Sequence, residues 1–83
     1  MDQIKNEIRA YIIENFLFGD DHGLDESTSF LANGIIDSTG ILELVAFLEE
    51  KYAIRIDDEE LLPEHLDSID KAAVFVSRKR GGR

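Results

Sequence analysis

The segment Gly34-Ile35-Ile36-Asp37-Ser38-Thr39-Gly40 sets a hydroxyl residue on a glycine-flanked turn, directly ahead of an amphipathic run over residues 41–52. If that run is a helix, Ser38 stands at its exposed N-terminus. Unpaired backbone N–H groups and the positive end of the helix dipole make that position a seat for a phosphate or another anion. Ser38 is therefore a candidate for a phosphoryl-type covalent modification. Asp and Ser are also preferred N-caps, and on local chemistry alone capping by Asp37 or Ser38 is the favoured account. No general base neighbours Ser38 in the sequence, so any activation of its hydroxyl has to come from another protein.

Other chemistry is weaker. Ile36-Asp37-Ser38-Thr39-Gly40 half-matches a nucleophile elbow, but Ile36 occupies the place of the first glycine, no strand precedes the serine, and the chain is too short for that hydrolase fold. Asp20, Asp21, Asp25 and Glu26 miss the spacing and the glycine of a calcium loop, and read as solvated acids. His22 and His65 lack ligand-spaced companions and are expected at the surface. No metal site is expected.

The elements that must position Ser38 follow from periodicity. Ile4, Ile8, Ile12 and Phe16 recur at steps of four, with Tyr11 beside them, which predicts a helix from residue 2 to 17 or 18, ended by Gly19-Asp20-Asp21-His22-Gly23. Residues 24–36 hold turn formers and scattered apolar residues, a long loop expected to be pinned to the core by Phe30 and Leu31. Ile41, Leu44, Val45, Leu48 and Tyr52 share one face of the second helix, with Glu43, Phe47 and Glu50 toward the other. Gly40 in its first turn is a poor helix former. Residues 54–56 are too short for a strand. Residues 57–62 carry a weak capping signature for a short helix that Pro63 is expected to stop. A last helix is predicted from residue 68 or 69 to 78, on Ile69, Ala72, Ala73 and Val76. The expected fold is all-α, a small four-helix bundle of three longer helices and one short one. Its long first loop serves as a crossover. Val45, Leu48, Ile56, Leu61, Leu62 and Phe75 read as core, or as the lining of a cavity, which composition cannot distinguish.

With 83 residues the chain is one domain, expected over residues 1–78 with a flexible basic tail at 79–83. It has no cysteine, which suits a reducing, cytoplasmic setting; no signal peptide and no span long enough for a bilayer are evident. The net charge is −9, from 9 basic and 18 acidic residues, and four of the basic ones (Arg78, Lys79, Arg80, Arg83) lie at the end. So acidic a body argues against nucleic-acid phosphates and for basic protein partners. The terminal cations read as a frayed helix end suited to the macrodipole.

Taken together, these residues resemble the acyl carrier and peptidyl carrier proteins, whose signature is Asp-Ser-Leu at the head of the second helix. Asp37-Ser38-Thr39 matches it, preceded by Gly34-Ile35-Ile36 and followed by Leu42-Glu43-Leu44-Val45 and Leu48-Glu49-Glu50. Phe30 and Leu31, the pair Ile54 and Ile56, the acidic residues 57–60 and Asp67-Ser68-Ile69 carry the likeness along nearly the whole chain. The resemblance implies a non-catalytic, monomeric carrier with a 4′-phosphopantetheine arm on Ser38. A phosphopantetheinyl transferase would place the arm from coenzyme A, using a divalent metal, with Asp37 positioning the metal or the hydroxyl. The arm would hold acyl or aminoacyl groups as thioesters for fatty acid, polyketide, peptide or related synthesis. An acyl- or aminoacyl-activating ligase and downstream enzymes would be the further partners. Thr39 replaces the usual Leu and Gly40 an acidic residue often found next, so partner recognition would lean on Thr39, Glu43, Phe47 and Glu50. An ordinary solvated face is the competing reading of the glutamates. The alternative class is a carrier-like helical adaptor that binds partners without a prosthetic group. An independent small enzyme lacks any assembled acid, base or metal set.

Overall fold

The computed structural model describes residues 2–20 and 23–81. The described residues form four α-helices, α1 (Asp2–Phe16), α2 (Ser38–Tyr52), α3 (Pro63–Leu66) and α4 (Ile69–Gly81), with a 3₁₀ turn at Asp58–Glu60 ahead of α3. Among the described residues there is no strand. The fold is thus an all-α bundle of three longer helices and one short one, as the periodicity predicts. His22 and Asp21 lie outside the described residues, as do Gly82 and Arg83 at the end.

The four-residue period of α1 does what it predicts, burying Ile4, Ile8 and Ile12. They meet Leu44, Val45 and Leu48 of α2 and Ile69, Ala72, Ala73, Phe75 and Val76 of α4 in one core. The small Ala72 and Ala73 let α4 approach its neighbours closely, and both are fully buried. Tyr11 of α1 stacks on Phe47 of α2 with ring centroids 4.1 Å apart. Phe47 is accordingly half-buried rather than on a free outer face.

Two expectations about the connections are corrected. Pro63 does not end a helix; it opens α3 at a position where its missing N–H costs nothing and its fixed φ suits the first turn. The acidic residues before it form only the 3₁₀ turn, in which the Asp57 N–H donates to the Glu60 carboxylate at 3.0 Å and the Glu60 N–H to the Asp57 carbonyl at 2.9 Å. The long loop is pinned by Leu24, Phe30 and Ile36, each buried, whereas Leu31 is 39% exposed. Polar ties complete the anchoring. Arg9 donates to the carbonyl of Leu24 at 2.7 Å, and Lys5 sits between Glu26 at 3.2 Å and Asp70 at 2.9 Å. At the loop's far side Asp67 receives the Ser29 hydroxyl on one oxygen and the Leu31 N–H at 2.8 Å on the other. Its own carbonyl takes the Phe30 N–H at 2.9 Å.

α4 runs through Lys79 and Arg80 to Gly81, past Arg78 where the apolar spacing ends. Lys79 pairs with Glu60 at 2.8 Å, and Arg80 lies 5.6 Å from the centre of the Tyr52 ring.

Candidate functional site

Ser38 is the first residue of α2, and it is exposed. Asp37 precedes it with extended backbone, φ −95° and ψ −176°, and its Oδ1 accepts the Gly40 N–H at 2.7 Å. The Asp37 carbonyl accepts the Ile41 N–H at 3.0 Å, the first bond of the helix. Asp37 is therefore the N-cap, and the capping role that local chemistry divided between Asp37 and Ser38 falls to the carboxylate. The Ser38 and Thr39 amides have no partner among the described residues, and Thr39 is exposed beside them. An anion on the Ser38 hydroxyl would meet free N–H groups and the positive end of a 15-residue helix.

Gly40 is buried, and the reason is steric. A Cβ there would fall 2.8 Å from Ile36 Cγ2 and 2.9 Å from Phe16 Cε1. An acidic side chain at this position has no room while Phe16 and Ile36 stay where they are.

On the other side of Ser38 an apolar groove of about 230 Å³ opens. Ile41 and Leu42 of α2 form one wall, Leu31 of the loop another, and Leu61, Leu62, Pro63 and Leu66 the third, with Ser38 at the edge. Leu31, Leu42 and Leu62 remain 39%, 57% and 40% exposed, so three of the five large apolar side chains left in solvent among the described residues surround this one serine. Leu61 and Leu62 thus belong to a groove wall, while Val45, Leu48, Ile56 and Phe75 are core.

The remaining sequence candidates disperse along α2. Glu43 and Glu50 are exposed, whereas the face of Phe47 is covered by Tyr11, whose hydroxyl donates to the Glu43 carbonyl at 3.2 Å. His65 is not a free surface residue: it sits in α3, its ring stacked on Phe75 at 4.8 Å and its Nδ1 3.0 Å from the Glu60 carbonyl. Among the described residues no group of three or more His, Cys, Asp or Glu side chains is arranged to hold a metal. None of the described helices is long and apolar enough to cross a membrane. Sequence reasoning missed Asp67 and Phe16 as supports of the site. Asp67 has its partners 36 and 38 positions away, which no local pattern signals.

No family model matches the chain. The acyl carrier protein of Caulobacter vibrioides is 32% identical over 79 residues, spanning 95% of this chain and 97% of that protein. A probable acyl carrier protein of a Serratia species, PigG, is 28% identical over 75 residues, spanning 90% of this chain and 86% of that one. A solved chain from a crystal structure described as that of an FAD-dependent dehydrogenase superposes with a TM-score of 0.74 at 29% identity, covering 83% of this chain and 97% of its own.

Proposed function

The chain belongs to the acyl carrier protein family, and from that premise we propose that Ser38 is its loading site for a 4′-phosphopantetheine arm. A member of this family is a carrier, not an enzyme. The observation that supports the reading is an exposed serine heading an Asp-capped helix, at the edge of an apolar groove framed by Leu31, Leu42 and Leu62.

The residues fit such a group. The free amides of Ser38 and Thr39 would neutralise part of a phosphodiester's charge, and the groove walls would shelter an apolar cargo from water. Asp37 spends one carboxylate oxygen on the Gly40 amide, which fixes the helix start, while its other oxygen has no partner among the described residues and is available to a metal brought by the transferase. The bound arm supplies a thiol on which an acyl or aminoacyl group is held as a thioester. Among the described residues no basic side chain is bonded to the Ser38 hydroxyl, so the base is assigned to the transferase. Thr39, Glu43, Phe47 and Glu50 are the residues proposed to meet partners, with Phe47 contributing only the part of its ring that Tyr11 leaves open.

Cytoplasmic partners of three kinds follow: the transferase, an acyl- or aminoacyl-activating ligase, and an enzyme that consumes the cargo. For the last we propose an FAD-dependent dehydrogenase. The solved chain in that dehydrogenase structure is matched over 97% of its length by 83% of this one; a polypeptide so short is of carrier size, too small to fold around a flavin by itself. Two electrons and two protons would pass from the carried acyl group to the flavin.

One experiment tests both levels. Purified protein is incubated with coenzyme A, Mg²⁺ and a broad-range phosphopantetheinyl transferase, and its intact mass is taken. Gain of one arm, lost in Ser38→Ala, is the expected result; no gain, or a gain that survives the substitution, refutes the site. The loaded and acylated protein is then mixed with an FAD-dependent dehydrogenase that accepts carrier-bound acyl groups. Bleaching of the flavin by the loaded form alone is expected, and no bleaching with any tested acyl group refutes the partner while leaving the site standing.

A further inference from the structure

Resting on Ser38 as the loading site, we propose that Gly40 and Phe16 are positioning residues for its hydroxyl: the missing side chain at 40 lets the Phe16 ring and Ile36 clamp the first turn of α2.

Gly40 is not needed for its backbone. It lies inside α2 and does not share the positive φ of Gly19, Gly23 and Gly34, so any L-residue could adopt its conformation. Glycine is otherwise a poor choice in a helix. What the position requires is space. An ideal Cβ would approach Ile36 Cγ2 to 2.8 Å and Phe16 Cε1 to 2.9 Å, inside the distance at which carbon atoms attract. Neither neighbour yields easily. Ile36 is 1% exposed in the core, and Phe16, the last residue of α1, has its ring edge-on to Tyr11 at 5.9 Å, with Tyr11 backed in turn by Phe47.

The clamp reaches the serine through the cap. The Gly40 N–H is held by Asp37 Oδ1 at 2.7 Å, so a shift of residue 40 moves both ends of the short arc on which Ser38 and Thr39 sit. Loading requires the Ser38 hydroxyl to meet a base and a phosphorus atom that another protein holds fixed, and displacement of a reacting atom by about 1 Å can cost roughly 100-fold in rate. Of the residues proposed to dock, Glu43, Phe47 and Glu50 lie about one turn or more from residue 40, and only Thr39 sits on the arc that moves. The proposal therefore predicts a loss in turnover and not in docking.

Loading kinetics with the same transferase and coenzyme A are measured for the wild type, Gly40→Ala, and the double variant Gly40→Ala with Phe16→Leu. Gly40→Ala should lower kcat by roughly 10- to 100-fold, with KM for the carrier within about twofold of wild type. Phe16→Leu, which removes the ring atom nearest the new methyl group, should recover at least about threefold of that loss in the double variant. In the amide spectrum of the unloaded protein, the Ser38 and Thr39 signals should move in Gly40→Ala and return toward wild type in the double variant. Gly40→Ala that is folded and loads at the wild-type rate, a loss confined to KM, or a loss that Phe16→Leu leaves unchanged overturns the proposal. Should Gly40→Ala not fold, Phe16→Ala carries the test, and an unchanged kcat there overturns it. A wild type that takes no arm on Ser38 refutes the loading assignment instead, and the amide signals still decide the clamp.

Discussion

Tyr52 and Glu7 show how a single polar contact can be given a pH signature. The Tyr52 hydroxyl donates to Glu7 Oε1 at 2.7 Å, Gln3 donates to Oε2 at 3.2 Å, and Lys51 stands 3.9 Å away. The phenol, followed by the Gln3 amide, holds the Glu7 carboxyl below the usual carboxylate range. Burial first, then the bond to Glu7, pushes the Tyr52 phenol above its ordinary range, so it remains a donor throughout the acid and neutral region. Because the folded state depresses the Glu7 pKa, the contribution is complete above the unfolded value of a glutamate and is lost as pH falls through the folded one. Glu7→Gln should therefore destabilise the protein at neutral pH, with the gap to wild type closing as pH falls below the ordinary glutamate range in denaturant unfolding series. A gap that stays constant across that range would show that the side chain's shape, not its charge, is responsible. Local sequence gave no sign of this pair, whose members are 45 positions apart. Ser38 itself was legible, because residue type, glycine-flanked turn and following helix are all adjacent in the chain. Gly40 was legible only as a departure, since Phe16 and Ile36 meet it through the fold.

The helices were readable in proportion to the length of their apolar period. Ile4, Ile8 and Ile12 predicted α1, and Leu44, Val45 and Leu48 predicted α2, because burial on one side of a long helix imposes a period that composition displays. The four residues of α3 are too few for a period, and Pro63 read as a stop because the same fixed φ ends one helix and begins another. The loop over residues 24–36 was found, and Phe30 as one of its anchors, but not that Leu31 turns outward while Leu24 and Ile36 turn in. That choice is made by Asp67, which grips Ser29 and the Leu31 amide at the corner between α3 and α4 and so sets Leu31 as the groove wall facing Leu62 and Leu66. Bonds to a charged acceptor contribute more than neutral ones, so Asp67→Ala should cost about 2 kcal/mol of unfolding free energy. Amide exchange should locate the effect, with Leu31 and its neighbours losing protection ahead of α1 and α2. Protection lost evenly along the chain would mean that Asp67 serves the bundle at large and not the groove.

For the whole molecule, charge was the most legible property and the groove the least, since composition fixes the first while the second exists only where a loop and two helices fail to close over Ser38. The net charge of −9 is not spread evenly in effect. Lys79 is engaged by Glu60, Arg80 lies over Tyr52, and Lys5 is held by Glu26 and Asp70, so these cations are committed to internal contacts. Glu43 and Glu50 stay exposed on the helix that Ser38 heads. A basic partner surface would be drawn toward α2 with a force that acts over about 30 Å at 0.01 M salt and about 3 Å at 1 M. Loading kcat/KM should accordingly fall by at least about tenfold across that range, with kcat little changed, as expected for steering of encounter. Glu43→Lys with Glu50→Lys should reproduce most of the loss at low salt and flatten the salt dependence. Asp58→Lys with Glu59→Lys changes the net charge equally on the 3₁₀ turn and separates location from total charge. If the two double variants lose rate to the same degree, the attraction belongs to the molecule as a whole; if the α2 pair loads as wild type does, α2 is not the face that partners read.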